Sequence, residues 1–216
     1  MMGRGLPLAV IHGPQLAGAG YAGIDDRLGG QLVAEHALAL GHERMAILTY
    51  PISEDDFSGF VSPDRLDSST IGSASNRMAG IRQSVEAAEL TWGRISIWES
   101  PINTRESGIV GAGRLLDRAD RPTAILAMSD QLAFGAIEAA SVRGLRIPHD
   151  LTVIGFDDIP AAARSDPPLT TIRQSLRDAG AIAARMLIDG WENEPPVEIL
   201  PIDLIVRASS GPAPRT

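Results

Sequence analysis

Apolar residues recur along this chain in two rhythms. Short unbroken runs at residues 6–11, 45–49, 95–98, 124–127 and 151–154 have the length and character of buried strands. Between them apolar residues fall at helical spacing: Leu28, Leu32, Val33, Ala37 and Leu40, then Met78, Ile81, Val85 and Ala88, then Ile109, Ala112, Leu115 and Leu116. Residues 131–143 form a fourth helical stretch, and Ala179, Ile182, Ala183, Met186 and Leu187 line a fifth. The first helix is expected to open at Asp25 and close at Gly41, and the fourth to close at Gly144, because glycine readily adopts the backbone that follows a last turn. Ser175 is placed to cap the fifth. A last strand is expected over residues 199–206, interrupted at Pro201. Strands alternating with helices predict βαβ units, a parallel sheet and an α/β fold. Residues 51–75, rich in Ser, Asp, Gly and Pro and without a period, read as a long surface loop, and residues 211–216 as a disordered tail.

Two strand-to-helix joints carry the chemistry. The apolar run at 124–127 stops at Met128-Ser129-Asp130, and the run at 151–154 continues through Gly155-Phe156 to Asp157-Asp158. Ser129, Asp130 and Asp157 are thereby expected at the carboxyl ends of strands, the edge at which open α/β sheets bind ligands. The arrangement points to a small-molecule receptor, with Asp157 accepting hydrogen bonds from ligand hydroxyls or amines; its plainer reading is a turn or helix cap. One of Ser129 and Asp130 is expected to cap the following helix and leave the other to face the crevice. His12 ends the first strand, where it either faces the same crevice or is structural. Arg77 opens a helix after the long loop and by itself reads as a surface charge. His36, His42 and His149 lack metal-ligand spacing and read as surface residues.

Gly18, Gly20 and Gly23 spell GxGxxG, the pattern of a dinucleotide phosphate turn. The run does not follow a strand directly, and the helix after it opens with Asp25-Asp26, which would repel a pyrophosphate. A flexible loop or hinge fits better, and no cofactor is expected. The 19 basic and 27 acidic residues give a net charge of -8, which argues against this segment gripping nucleic acid. The absence of cysteine excludes disulfides, thiol catalysis and zinc–thiolate sites. HExxH, GxSxG and P-loop patterns do not occur, so enzyme readings gain no motif support. No apolar stretch is long enough to span a bilayer and no signal-peptide core opens the chain, so no membrane partner and a cytoplasmic location are expected.

Taken together, several segments resemble the effector-binding domain of LacI-family transcriptional regulators. They are Glu35-His36 with Leu40-Gly41-His42-Glu43-Arg44; Arg77-Met78-Ala79-Gly80; Ser107-Gly108; Arg121-Pro122-Thr123-Ala124; and Ser129-Asp130 with Ala133 and Gly135. They continue with residues 144–151, Ile154-Gly155-Phe156-Asp157-Asp158-Ile159-Pro160, and residues 167–174. Their order and spacing hold over residues 6–207. The resemblance implies a periplasmic-binding-protein-like fold, in which two parallel-sheet subdomains close over a ligand and are joined by three chain crossings, near residues 22–24, 173–174 and 200–201. It divides the chain into residues 1–22 with 174–200, residues 23–173 with 201–210, and a tail at 211–216.

By the same resemblance Arg77 corresponds to the family arginine that binds ligand hydroxyls, Asp157 to its ligand-binding aspartate, and Gln174 to a polar hinge position that reaches the ligand. Ser129 stands where asparagine is usual and His12 where aspartate is frequent, so contacts at both differ from the common pattern. An opposed arginine and aspartate suit a polyol such as a sugar. The implied partners are a small-molecule effector, a second copy in a homodimer, and operator DNA through a helix-turn-helix domain that this segment lacks. A solute-binding protein serving a transporter is the alternative. The resemblance also places a helix-turn-helix and a βαβα portion of the first subdomain ahead of residue 1, which leaves that subdomain incomplete and exposes sheet edge and apolar surface. The chain on its own is therefore expected to be marginally stable or self-associated; a monodisperse, cooperatively melting monomer in analytical centrifugation and thermal denaturation would contradict this.

Overall fold

The computed structural model describes residues 7–214, and the first residue of the expected strand at 6–11 lies outside them. In chain order the elements are β1 (Ala9–Ile11), β2 (Gly20–Ile24), α1 (Asp26–Ala39), β3 (Met45–Thr49), β4 (Gly59–Phe60), α2 (Pro63–Asp67), α3 (Gly72–Ala87), β5 (Ser96–Glu99), α4 (Arg105–Leu116), β6 (Ala124–Ala127), α5 (Asp130–Val142), β7 (Thr152–Asp157), β8 (Thr170–Arg173), α6 (Leu176–Asp189), β9 (Val197–Leu200) and β10 (Asp203–Ile205). The chain divides into two compact units, and passes from one to the other after Asp25, after Arg173 and after Ile202.

The smaller unit holds a parallel sheet in the order β1-β2-β9. Helix α6 packs on β1 and β2 through Ala179, Ala183 and Met186, which recur at helical spacing on one face. Ser175 caps it, its Oγ accepting the Asp178 amide at 3.2 Å. Residues 18–23, read from sequence as a loop or hinge, instead supply most of β2, which is buried throughout. A strand flanked on both sides and buried on both faces does not alternate, so its pattern hides it. Gly20 suits this place because an added Cβ would lie 3.2 Å from the Met186 sulfur. Apolar surface is exposed on this unit: Val197 and Ile199, two apart on β9, are 55% and 50% exposed.

The larger unit is built on a seven-stranded sheet in the order β10-β8-β7-β6-β3-β5-β4. It is parallel except at its edges, where β10 runs antiparallel to β8 and β4 to β5. Ala46 and Leu48 of β3, Ile125 and Ala127 of β6 and Val153 of β7 join α4 and α5 in one core. The alternate residues Met45 and Ile47 point to the opposite face, where α1 packs on the sheet and α3 on α1. Both helix pairs approach closely through glycine. A Cβ on Gly80 of α3 would lie 2.0 Å from the Arg27 carbonyl oxygen, and one on Gly135 of α5 would lie 2.3 Å from that of Arg105.

Four sequence expectations are corrected by the structure, three of them in this unit and one where the chain crosses between units. Residues 51–75 are not an unstructured loop but contain β4, α2 and the start of α3. They are anchored by Glu99, a fully buried carboxylate at the end of β5, which requires a counter-charge. Arg65 supplies it through two bonds of 2.6 and 2.8 Å, grips Asp55 as well, and stacks on Phe57. Residues 199–206 form two strands in different sheets, because Pro201 and Ile202 carry the chain from one unit to the other. His42 is fully buried rather than superficial: its ring bonds Thr123, Thr152 and the Gly211 carbonyl, and burial lowers its pKa. Those contacts also order residues 211–214, read as a disordered tail, where the Gly211 amide donates to Thr152 and the Ala213 amide to the Leu40 carbonyl.

Two glycine-to-alanine changes should act with opposite sign. Alanine is the better helix former by about 1 kcal/mol. Gly180 in α6 has nothing within 4 Å of the position an added Cβ would take, so Gly180→Ala should stabilise by about 0.5–1 kcal/mol. At Gly80 the clash must be relieved by parting α1 from α3, so Gly80→Ala should destabilise by about 1–3 kcal/mol. Urea denaturation of the two variants checks both signs.

Candidate functional site

The carboxyl edge of the larger sheet gathers three of the residues singled out from sequence. Arg77 lies in the second turn of α3, not at the start of a helix, and is only 6% exposed. Close packing of α3 on α1 brings its Nε within 2.7 Å of the Asp26 carboxylate in the first turn of α1. A Cβ on Gly30 would lie 2.0 Å from the Arg77 carbonyl oxygen, so glycine is what permits this approach. Nη1 donates to the Met128 carbonyl at 2.6 Å, at the end of β6. The guanidinium stacks 3.5 Å from the centre of the Phe156 ring on β7 and 5.9 Å from that of Tyr50. Arg77 thus touches the residue before Ser129 and the residue before Asp157. Nη2 forms no hydrogen bond among the described residues.

Ser129 is the N-cap of α5: its Oγ accepts the Leu132 amide at 3.2 Å and donates to the Asn103 side-chain oxygen at 2.5 Å. The expectation that Asp130 would then face the crevice fails. Asp130 is fully buried and turns inward, accepting the Thr171 hydroxyl at 2.6 Å and the Ile159 amide at 2.9 Å. Burial pushes its carboxyl up to about 7, offset in part by the Thr171 and Ile159 hydrogen bonds and reinforced by the nearby charges of Asp157 and Asp158.

Asp157 ends β7 at φ 130° and Asp158 follows at φ 52°. Such backbone costs a non-glycine residue about 1–3 kcal/mol and persists only where surroundings over-determine it. Asp158 is held by Arg207 at 2.6 Å and by Arg173 at 2.7 Å. His12 and Gln174 belong to the smaller unit, His12 directly after β1 at φ 50° and Gln174 directly after β8.

Sequence reasoning missed four participants: Asp26, Asn103, Phe156 as the platform under Arg77, and the arginine pair on Asp158. Asp26 had a signal, since two acids open the helix there. Asn103 had none, because its partner lies 26 residues away.

Fold and edge together define a ligand-binding domain of the periplasmic-binding-protein type, and comparison with known proteins agrees. The family described as periplasmic binding protein-like domain matches residues 34–210. The HTH-type transcriptional regulator DegA of Bacillus subtilis is 38% identical over 192 residues, 88% of this chain and 51% of DegA. A LacI-family regulator from Enterococcus faecium, solved with bound ribose, superposes with a TM-score of 0.79 at 27% identity, over 95% of this chain and 71% of that one. The complex of the regulator CelR with cellobiose does so with a TM-score of 0.79 at 28% identity, over 95% and 59%. The chain belongs to the periplasmic-binding-protein-like family, in the branch formed by the effector-binding domains of LacI-type regulators. It spans about half the length of the curated relatives it matches.

The buried Asp130 carboxyl makes a test of the site's electrostatics. A carboxyl raised above its unfolded value of about 4 contributes fully to stability below that pH and loses the contribution as pH climbs to about 7. In Asp130→Asn the side-chain oxygen still accepts from Ile159 and the amide donates to Thr171. The variant's stability relative to the parent should therefore rise between about pH 4 and 7 and level off above. Urea midpoints of the two proteins across that range check it.

Proposed function

We propose that this chain is the effector-sensing region of a LacI-type transcriptional regulator and binds a small polyol, a sugar, at the carboxyl edge of the larger unit's sheet. The observation that carries the reading is that Arg77 at that edge bonds Met128 and stacks on Phe156, the residues directly before Ser129 and Asp157, with Nη2 left as a donor. A forked cation beside a carboxylate matches a pair of vicinal hydroxyls, which accept from one and donate to the other. Relatives of the same fold hold ribose and cellobiose, which supports a sugar over other polar metabolites. His12 and Gln174 are the candidate ligand contacts of the smaller unit.

In the whole regulator, ligand would favour one of two conformations and thereby alter operator binding by a helix-turn-helix domain in a homodimer. The curated relatives are helix-turn-helix regulators, which favours this over the solute-transport alternative. Isothermal titration with ribose, cellobiose and a panel of monosaccharides tests the reading. Asp157→Ala should weaken the best ligand more than tenfold, about 1.4 kcal/mol or more. Arg77→Ala alone would strand the buried Asp26 charge at a cost of about 3–5 kcal/mol, so the arginine is tested as Arg77→Ala with Asp26→Ala, with the same loss expected. Unchanged affinity in both folded variants would sink the assignment.

A further inference from the structure

The Asp157–Asp158 turn is the most strained backbone at the carboxyl edge: two successive non-glycine residues at positive φ close β7. The chain just beyond this turn is tied down at one point from inside the fold. The Ile159 amide, the first N–H after the strained pair, donates to Asp130 Oδ2 at 2.9 Å. The other oxygen of the same carboxylate accepts the Thr171 hydroxyl at 2.6 Å, on the neighbouring strand β8. Asp130 is the first residue of α5, directly after Ser129, and is fully buried. Space for it is made by the chain itself, because a Cβ on Gly155 would stand 2.5 Å from Asp130 Oδ1. One carboxylate at the start of α5 therefore ties the turn after β7 to the interior of β8.

We infer that Asp130 is a positioning residue, which fixes the backbone of the Asp157–Asp158 turn by holding the Ile159 amide and so sets where the Asp157 carboxylate is presented. It does not touch ligand; it acts through the turn. Asp158 is held from the other side by Arg173 and Arg207, so the two residues that follow Asp157 are both tied down, one by its side chain and the other by its amide. The consequence for ligand affinity rests on the function proposed above, but the clamp itself does not.

The charged groups around this carboxylate are Asp157 and Asp158 at the end of β7, the second held by Arg173 of β8 and by Arg207. Arg77 of α3 reaches the Met128 carbonyl two residues away in the chain. Thr171 faces it as a neutral donor. Because burial and the two aspartates raise Asp130 into the neutral range, the strength of its hold on Ile159 changes with pH there.

Residue-resolved amide exchange by NMR on the whole chain, without ligand, tests the clamp. In Asp130→Ala the Ile159 amide should exchange at least about tenfold faster than in the parent, while amides within β6 and β3 keep their protection. Asp130→Asn should restore protection, since its oxygen accepts in the same place. In the parent, Ile159 exchange corrected for intrinsic rate should inflect near neutral pH, and in Asp130→Asn it should not. Ile159 exchange that is the same in Asp130→Ala as in the parent would overturn the inference. If Asp130→Ala does not fold, a parent profile at Ile159 without the inflection would overturn it. Neither measurement uses a sugar, so failure of the sugar reading is separate from failure of the clamp.

Discussion

The Arg77 guanidinium is held at once by the Asp26 carboxylate, the Met128 carbonyl and the Phe156 ring, and most of the edge site is arranged around that fact. A charge with so little access to water persists only if it is paired, and its partners come from α1, the end of β6 and β7. Fixing the arginine therefore fixes three elements relative to α3. The residues it contacts are sequence neighbours of Ser129 and Asp157, so the same interaction that makes burial tolerable also lines up the edge of the sheet.

That arrangement depends in turn on how closely the helices meet. Gly30 and Gly80 let α1 and α3 touch backbone to backbone, and Gly108 and Gly135 do the same for α4 and α5. Larger residues would hold each pair apart and carry Arg77 away from Asp26. On the strand side, Gly155 leaves room for the Asp130 carboxylate beneath β7. The edge thus depends on four acids, three arginines and a set of absent side chains.

Backbone strain is concentrated at the same edge. Asp157 and Asp158 adopt positive φ where β7 ends, and the surrounding bonds from Asp130, Arg173 and Arg207 offset the cost. In the proposed reading, an edge held this way would present the Asp157 carboxylate from a rigid strand end rather than from a mobile loop, which would limit the entropy a ligand must remove.

The α/β class, the identity of most strands and helices, the capping role of Ser175 and the family were legible in the sequence alone. Each rests on local information: apolar period, glycine and serine at element ends, and residue patterns that recur along the chain. Asp157 at a strand end was legible for the same reason. What the sequence left open was decided by partners distant along the chain. Arg77 looks like a surface charge until α1 brings Asp26 to it. Asp130 looks like a crevice residue until Thr171 and Ile159 turn it inward. Residues 18–23 look like a hinge until β1 and β9 flank them, and residues 51–75 look like a loop until Glu99 anchors Arg65. Burial and pairing of a polar group are properties of its neighbours in space, and only the tertiary structure supplies those neighbours.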